Sequence, residues 1–538
     1  MLATVLSATV QGLDGTRVAV EIDLQRGLRT FHIVGLPSLA VRESRERVEA
    51  ALHNSGFEIP ERRLTVNLAP ADLPKEGSGF DLPIALGVLA ASAQCRAALL
   101  EGVCVLGELA LDGTVRPVRG VLPIAIAMRR LGVRRLVVPA HNVAEARLVP
   151  SLDVVGCATL GEAASEFGAR MAAKRGRSNG NLTGSGGSQG LPVCEPRTAE
   201  LPTSGFDPHH AASERTSSAP DFSQVFGQEV AKRALAIAAA GGHHVLMVGP
   251  PGVGKSMLAR CLPGLLPPLD EAEALEVRQV LSVCGRHREA ASSDVARPFR
   301  APHHTLSVPG LVGGGRPVIP GEITLAHHGV LFLDELPEFS RNLVELLRQP
   351  LEEGTIHLAR ANQQIRYPAR FQLVAAMNPC PCGFLGHPRK PCKCAPGDIQ
   401  RYRLRVSGPI LDRIDLRVEL AMPPSEKLGT IGDASDTQRL RDRIAAARQR
   451  QRVRYEDIAG VHCNAQADSK SRRTHLRSRR EASELLRRAV TKWDLSVRAY
   501  ERTLAVARSI ADLDAASDID VQHVAEALQY RLESPRQQ

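Results

Sequence analysis

The chain has 538 residues, a formal net charge of +10 at pH 7 and an isoelectric point of about 9.2. This length predicts several domains rather than a single hydrophobic core. The excess of basic residues suits a polyanionic partner, although a basic protein without such a partner could carry the same charge. Because no run of about 18 apolar residues occurs and the first residues lack a signal-peptide pattern, we exclude a membrane-spanning helix and predict a cytoplasmic protein.

Residues 1–168 alternate short strand-like segments with helical segments. Val18–Ile22 and Leu64–Leu68 have the composition of strands, whereas Val41–Leu52 and Leu82–Ala91 repeat apolar residues at three- and four-residue spacing. This alternation predicts an α+β domain.

Three more regions follow along the chain. Residues 169–220 are rich in Gly, Ser, Asn and Pro and keep no apolar period, which predicts a flexible linker. Residues 221–422 return to alternating strands and helices, as expected for an α/β domain. Residues 423–538 are helical in character, with Asp520 as the N-cap of a final helix.

A glycine-rich segment joins a buried strand, Val245–Val248, to a helix. It fits the pattern G-x-x-x-x-G-K-[ST] in the strand–loop–helix context that makes this motif specific for nucleotides. Glycines let backbone N–H groups surround phosphate oxygens, the lysine neutralises the outer phosphates and the final hydroxyl ligates Mg²⁺. The predicted ATP-binding residues are Gly249, Pro250, Pro251, Gly252, Val253, Gly254, Lys255 and Ser256.

Two further apolar strands end in polar residues. Val330–Leu333 runs into Asp334 and Glu335. We expect Asp334 to hold Mg²⁺ through water and Glu335 to polarise the attacking water. The strand Phe371–Ala376 ends near Asn378, whose amide is placed to position that water beside the γ-phosphate. Together these residues predict ATP hydrolysis.

Several strings resemble the YifB/ComM family of magnesium-chelatase-like AAA+ ATPases. They are Phe299–Thr305, Gly313–Gly315, Pro320–His327 and Asn378–Gly383. The resemblance covers nearly the whole chain outside the linker. It implies an AAA+ P-loop domain at 221–422 with a helical lid at 423–538, preceded by an α+β domain similar to the Lon proteolytic domain.

The resemblance also implies an activity. ComM-like members are hexameric DNA helicases that drive branch migration during natural transformation. We therefore expect a homo-oligomeric, hexameric ring, with ATP and Mg²⁺ as cofactors and branched or single-stranded DNA as partner. The alternatives are a magnesium-chelatase-type ATPase that remodels a protein partner and an ATP-dependent protease.

Further roles follow from the AAA+ resemblance. Asn378 takes the sensor 1 position, and Gln228 ends the entry turn that packs near adenine in such ATPases. Arg413 takes the position of an arginine finger that reaches the neighbouring subunit's nucleotide; the alternative is a surface salt bridge with Asp412 or Asp415.

Arg498 matches the sensor 2 arginine of AAA+ lids. It lies in the first turn of a helix, where a cation is unfavourable to the helix dipole and indicates an anionic partner. The segment Ile356–Tyr367 resembles the hairpin that precedes sensor 1 in related helicases. Arg360 near its tip is a candidate DNA-phosphate contact, or equally an exposed arginine at a sheet edge.

Four of the 11 cysteines are clustered as C-x-C-x₉-C-x-C, at Cys380, Cys382, Cys392 and Cys394. Four thiols so close together predict a tetrahedral structural zinc site, with free thiols as the alternative. A metal with four thiolate ligands has no open position, so a catalytic role is not expected.

The Lon-like domain lacks one catalytic residue. The Lon serine position falls near Gly79, one residue from Ser78, and the Lon lysine position falls near Leu122. No lysine occurs between Pro117 and Met171, and a serine without its general base is not activated. We therefore predict a non-catalytic domain, which argues against the protease alternative.

Overall fold

The computed structural model describes residues 1–169, 220–360, 363–422, 434–458 and 460–531. Nearly all of the linker predicted at 169–220 lies outside the described residues, as does the start of the region predicted at 423–538. None of the helices in the described ranges is long and apolar enough to cross a membrane.

The N-terminal part combines nine strands with six helices within residues 1–169. The strands are β1 (Leu2–Gln11), β2 (Asp14–Gln25), β3 (Thr30–Val34), β4 (Arg63–Ala69), β5 (Val103–Val105), β6 (Glu108–Leu109), β7 (Val115–Arg116), β8 (Arg135–Pro139) and β9 (Asp153–Cys157). The helices are α1 (Leu39–Arg42), α2 (Ser44–Asn54), α3 (Asp81–Ala91), α4 (Val121–Arg130), α5 (Val143–Ala146) and α6 (Leu160–Glu166).

Seven of these strands form one mixed sheet in the order β3-β4-β2-β1-β5-β8-β9. The strands predicted at Val18–Ile22 and Leu64–Leu68 lie within β2 and β4, where they pair antiparallel. Helix α3 matches its prediction, but the helix predicted at Val41–Leu52 is divided at Glu43, whose N–H closes α1 on the carbonyl of Leu39.

The central part contains nine strands and ten helices in the described residues from 220 to 422. The strands are β10 (Val245–Val248), β11 (Phe299–Arg300), β12 (Gly313–Gly314), β13 (Ile319–Pro320), β14 (Val330–Leu333), β15 (Thr355–Arg360), β16 (Gln363–Pro368), β17 (Gln372–Met377) and β18 (Leu416–Glu419). The helices are α7 (Glu229–Gly241), α8 (Lys255–Cys261), α9 (Glu271–Val283), α10 (His287–Ala290), α11 (Val308–Val312), α12 (Glu322–Leu325), α13 (Arg341–Leu346), α14 (Arg348–Glu353), α15 (Pro396–Arg403) and α16 (Gly408–Leu411).

A five-stranded parallel sheet organises this central part, in the order β11-β14-β17-β10-β18. Every residue of β14 and β17 is buried, as the unbroken apolar runs predict for strands covered on both faces. Because the strands are parallel, the residues that follow β10, β14 and β17 emerge at one edge of the sheet, and those that precede the strands lie at the other. We call these the carboxyl edge and the amino edge.

Five helices occupy the described residues after 434. They are α17 (Ala434–Arg454), α18 (Ser469–His475), α19 (Arg480–Trp493), α20 (Val497–Leu513) and α21 (Val521–Gln529). Asp520 caps α21 as the sequence predicts, within a capping box that includes His523. Apolar residues of α17, α19, α20 and α21 share one core cluster with α7 and β10, so these helices pack directly on the parallel sheet domain.

The N-terminal part contacts the central part at two places. The Leu122 amide donates to Ser282 Oγ of α9 at 3.2 Å, and the His287 ring of α10 lies 3.2 Å from the carboxylate of Glu145. At the second place, the turn at Gly12 packs against Ile365 of the β15–β16 hairpin. The N-terminal part therefore contacts two regions of the central part. One is the pair of helices α9 and α10, which lie between the nucleotide motifs in sequence, and the other is the β15–β16 hairpin.

A buried carboxylate holds the C-terminal helices together. Asp512, which is fully buried, accepts from Arg454 at 2.6 and 2.8 Å, from Arg508 at 3.1 Å and from Asn464 at 2.9 Å. Loss of this carboxylate would leave the buried guanidinium of Arg508 and the partly buried guanidinium of Arg454 without their anionic partner.

We expect Asp512→Ala to lower the free energy of unfolding by about 3–5 kcal/mol, because it removes the carboxylate of a buried ion-pair network and leaves the arginines in place. Thermal and urea unfolding of purified protein measure this loss. Asp442→Ala is the matched control, since its exposed carboxylate only accepts from Gln438, and should change stability by less than about 1 kcal/mol. Equal stability of the two variants would contradict the expectation.

Candidate nucleotide-hydrolysis site

The glycine-rich loop connects β10 to α8 at the carboxyl edge. Gly252 and Gly254 have φ angles of +80° and +93°, a region that favours glycine, so the loop conformation depends on these two residues. Helix α8 begins at Lys255, directly after the loop. Its free N-terminal N–H groups and the loop amides form the kind of cradle that binds phosphate.

Lys255 lies inside the loop and contacts the predicted sensor residue. Its ammonium donates to the carbonyl oxygens of Gly249 at 2.5 Å and Pro250 at 3.1 Å, and to Asn378 Oδ1 at 2.9 Å. The side chain is 9% exposed, and burial lowers the pKa of its ammonium. Lys255 and Asn378 are 123 positions apart but adjacent in the fold, because β10 pairs in parallel with β17.

Ser256 and Asp334 form a second contact at this edge. Ser256 Oγ donates to Asp334 Oδ2 at 2.7 Å, and Asp334 Oδ1 accepts from the Glu335 amide at 2.9 Å. A hydroxyl and a carboxylate are the hard oxygen ligands that Mg²⁺ prefers. The two side chains therefore fit a magnesium ion bound between them and the phosphates of a nucleotide.

Glu335 has a left-handed backbone, with φ of +50°. A non-glycine residue in this region is uncommon, and such strain is often found at active sites. Its side chain is 55% exposed and lies 3.9 Å from the ring of His304, which packs edge-on against Phe339. The carboxylate is thus accessible to water, and His304 is a neighbour that the sequence pattern did not assign to the site.

Gln228 lies beside the loop. Its amide donates to the carbonyl of Val253 at 3.3 Å and to that of Ala421, after β18, at 2.7 Å. Gln228 therefore ties the entry turn to the phosphate-binding loop and to the end of the sheet.

Arg413 and Arg498 are at the other edge of the sheet. Arg413 precedes β18, and Arg498 lines a cleft of about 830 Å³ whose walls include Gly242, Gly329 and Gln372, residues at the starts of three parallel strands. The structure therefore brings these two arginines together but does not bring them to the phosphate-binding loop of their own chain.

The two arginines share one carboxylate. Arg413 Nη2 lies 2.7 Å from Glu352 Oε1, and Arg498 Nη2 donates to the same oxygen. The partners considered for Arg413 from sequence, Asp412 and Asp415, are not the ones it has. Asp415 instead pairs with Arg502 at 2.6 Å and with His243 at 3.2 Å.

Asp415 anchors the segment that carries Arg413. Burial favours the protonated carboxyl, but Arg502 and His243 outweigh it and hold the pKa of Asp415 well below its usual range. Arg502 also donates to the Arg413 carbonyl at 2.6 Å. The backbone of Arg413 is thereby fixed to helix α20.

The four clustered cysteines converge after β17. The Sγ atoms of Cys380, Cys382 and Cys392 are 3.4–3.6 Å apart, and all four ligand atoms, including that of Cys394, lie within 4.8 Å of one another. Tetrahedral zinc with Zn–S bonds of about 2.3 Å requires sulfurs about 3.8 Å apart. The Leu385 amide also donates to Cys380 Sγ at 3.3 Å. These residues fit a structural zinc ion.

The cysteine cluster lies against the nucleotide site. Gly383, between the first two cysteines and the last two, packs so closely on Pro251 that a β-carbon there would be 2.7 Å from the proline ring. The same added atom would be 3.8 Å from the Asn378 side chain. The loop that the cysteines close therefore touches both the phosphate-binding loop and the predicted sensor.

A second group of metal-ligand residues comprises Glu276, His327 and His328. Both histidine Nε2 atoms lie within 2.8 Å of Glu276 Oε2, so these two adjacent residues converge on one carboxylate oxygen. His327 Nδ1 accepts from the Arg370 amide at 3.0 Å, so its Nε2 bears the proton and donates to Glu276. That tautomer leaves His327 without a free nitrogen for a metal, and its ring takes part in a hydrogen-bond network with Glu276 and the Arg370 backbone.

Arg360 and Ser78 are the two remaining residues that the sequence analysis singled out. Arg360 pairs with Gln363 at the end of the β15–β16 hairpin, but its side chain lies outside the described part. Ser78 Oγ donates to Glu108, whereas the buried Lys75 ammonium donates to the Pro70 carbonyl. Within the described residues this serine therefore has a carboxylate rather than a lysine as its partner.

Three family models match the chain. Residues 221–428 match "Magnesium chelatase, subunit ChlI", residues 20–142 match "Subunit ChlI of Mg-chelatase", and residues 434–531 match "Magnesium chelatase, subunit ChlI C-terminal". The first of these spans the phosphate-binding loop, the acidic pair and Asn378.

Individual proteins are also similar to this chain, some of them over nearly its whole length. The competence protein ComM of Haemophilus influenzae is 42% identical over 98% of this chain and 97% of its own length. The protein YifB of Escherichia coli is 41% identical, again over 98% of this chain and 97% of its own length. The magnesium-chelatase 38 kDa subunit of Cereibacter sphaeroides is 30% identical, but only over 29% of this chain and 52% of that subunit.

Proposed function

Because the chain belongs to the YifB/ComM family of magnesium-chelatase-like AAA+ proteins, we propose that it is an ATP-driven DNA motor. The observation that carries this proposal is the convergence of Lys255, Ser256, Asp334, Glu335 and Asn378 at one sheet edge. These five side chains follow three parallel strands and are of the types that bind phosphate, hold magnesium and orient water in ATP hydrolysis.

Each residue has a distinct part in the reaction. Lys255 neutralises the β- and γ-phosphates, and Asn378, already in contact with Lys255, orients the attacking water. Glu335 polarises that water as it attacks the γ-phosphorus and the bond to the β-phosphate oxygen breaks. Ser256 and Asp334 would hold Mg²⁺, and the ion would supply positive charge that offsets the negative charge developing on the phosphates.

The charge on the transferred phosphoryl group requires an arginine from another subunit. Arg413 and Arg498 lie at the amino edge, one strand length or about 13 Å from the carboxyl edge, farther than an arginine side chain reaches. We propose that both arginines act on the nucleotide of the neighbouring subunit in a homo-oligomeric ring, which in this family is hexameric.

The proposed substrate is branched DNA. The net charge of +10 suits a polyanion, and a full-length relative is a competence protein. We propose that the ring promotes branch migration of recombination intermediates in natural transformation. Partial similarity to magnesium-chelatase subunits favours a second candidate, ATP-driven remodelling of a protein partner.

The zinc site has a structural part in this proposal. We propose that Cys380, Cys382, Cys392 and Cys394 bind one zinc ion, because their sulfur spacing fits tetrahedral coordination. Zinc would hold the loop that packs on Pro251 and Asn378. Its effect on catalysis would be to keep the predicted sensor in place.

DNA-stimulated hydrolysis tests the proposed function. We expect four-way or forked DNA to raise the ATPase rate of purified protein, with no rate left in Lys255→Ala and at least about 100-fold loss in Glu335→Gln, since these remove phosphate binding and water activation. Lys232→Ala, a surface lysine on α7 that pairs with Glu229, is the control. Hydrolysis indifferent to every DNA tested would rule out the DNA motor and favour a protein partner.

Subunit mixing tests the shared site. Arg413→Ala keeps an intact phosphate-binding loop but should lose about 10³-fold in rate, as for a missing arginine finger. Lys255→Ala keeps an intact Arg413 but should have no rate left on its own, because it lacks phosphate binding. Mixing them should restore part of the activity, because some interfaces then combine both intact halves. Absence of any recovery in rings shown by native mass spectrometry to contain both variants would contradict a site shared between subunits.

Metal analysis tests the zinc site. We expect about one zinc per chain in protein purified without chelator, and less than about 0.2 in Cys392→Ser, because three thiolates close the site poorly. Cys284→Ser, outside the cluster, should keep its zinc. The proposal fails if the purified wild-type protein contains no zinc and all four clustered thiols react freely with a thiol reagent.

A further inference from the structure

One carboxylate oxygen accepts from two arginines at the amino edge. Glu352 Oε1 lies 2.7 Å from Arg413 Nη2 and also accepts from Arg498 Nη2. Arg413 comes from the turn before β18 and Arg498 from the start of α20, so Glu352 joins two separate parts of the chain. Its side chain is 35% exposed in the cleft, where an approaching anion has access.

Glu352 is also joined to the hairpin through the backbone. It is the penultimate residue of α14, and Gly354 leads from that helix into β15. The Ala369 amide donates to the Gly354 carbonyl at 2.8 Å, which closes the base of the β15–β16 hairpin at this point. A displacement of Glu352 is therefore transmitted to the hairpin through two residues.

The helix that carries Glu352 is short. Helix α14 has six residues, too few for an isolated helix to be stable, so its position depends on its contacts. Among these contacts, the paired arginines are the ones that an incoming phosphate would compete for, because guanidinium groups bind carboxylate and phosphate oxygens in the same way.

We propose that Glu352 is a positioning residue that couples the nucleotide of the neighbouring subunit to the β15–β16 hairpin. This inference rests on the proposed action of Arg413 and Arg498 on that nucleotide. With no phosphate in reach, Glu352 holds both arginines and thereby fixes α14. When the arginines turn to the γ-phosphate, Glu352 loses its partners, and α14 and the hairpin shift together.

The other face of the hairpin carries the movement to the N-terminal part. The turn at Gly12 packs so closely that a β-carbon there would lie 3.1 Å from Ile365 Cγ2 and 3.2 Å from the Arg366 carbonyl oxygen. Ile365 and Tyr367 are buried in the same core as α13, so the hairpin moves as a packed unit rather than as a free loop. The hairpin thus links the shared nucleotide site to the N-terminal turn.

The test compares Glu352→Gln with Glu353→Gln. The control residue is the next one on α14, is exposed, and accepts from Gln349 instead of the two arginines. Hydrogen–deuterium exchange of residues 355–368 is measured in assembled protein with and without adenylyl-imidodiphosphate, beside nucleotide affinity and ATPase rates with and without four-way DNA.

We expect the nucleotide to change hairpin exchange in the wild type and in Glu353→Gln, and not in Glu352→Gln. Stimulation of ATPase by DNA should fall at least about tenfold in Glu352→Gln, as for other losses of catalytic positioning, while nucleotide affinity stays within about twofold. Glu352→Asp keeps the charge and should recover part of the hairpin response.

The inference is overturned by hairpin exchange in the wild type that ignores nucleotide, by a response in Glu352→Gln equal to that of the wild type, or by no recovery in Glu352→Asp. None of these affects the proposed function, which fails separately if Arg413→Ala hydrolyses ATP as fast as the wild type. An equal loss of coupling in Glu353→Gln would likewise exclude a specific role for Glu352.

Discussion

The parallel pairing of β10 with its two neighbours is the constraint on which the site depends. Val248 pairs with Met377 on one side and with Glu419 on the other, so the ends of three strands emerge together. Lys255 thereby meets Asn378, and the phosphate-binding loop is held by Gln228 against the exit of β18. The buried side chains of these strands pack into two core clusters, which makes the arrangement rigid.

The same sheet also separates the two halves of the proposed catalytic site. Segments that leave parallel strands and segments that enter them lie at opposite edges of the sheet, so Lys255 and Arg413 cannot meet within one chain. Asp415 and Arg502 fix the backbone of Arg413 to α20, which also carries Arg498. The C-terminal helices therefore position the two arginines at the amino edge. Assembly into a ring would bring these arginines to the phosphate-binding loop of a neighbouring subunit.

At each edge of the sheet, a second structural element packs against the residues that are proposed to take part in catalysis. The cysteine loop rests on Pro251 and Asn378 at the carboxyl edge, and the α14 helix presents Glu352 to both arginines at the amino edge. The N-terminal part contacts α9 and the hairpin but contributes no side chain to the described nucleotide site. Its proposed role is to respond to movement of the hairpin rather than to catalyse a reaction, because Ser78 has Glu108 rather than a lysine as its partner.

The sequence by itself determined the local features of the nucleotide site. The strands before Gly249 and Asp334 and the helix after the loop result from unbroken apolar runs and from glycine geometry, which act over a few neighbouring residues. The cysteine cluster was equally visible, because its four members lie within 15 residues. The Asp520 cap also depends only on its own turn.

Tertiary structure alone decided which distant side chains meet. Glu352 is 61 positions from Arg413 and 146 from Arg498, and Glu276 is about 50 from the two histidines that it joins. Such contacts depend on strand order and on the direction of each side chain, which no local pattern encodes. For the same reason the sequence could only predict that Arg413 and Arg498 act on a nucleotide, whereas the fold showed that they lie together and away from their own chain's phosphate-binding loop.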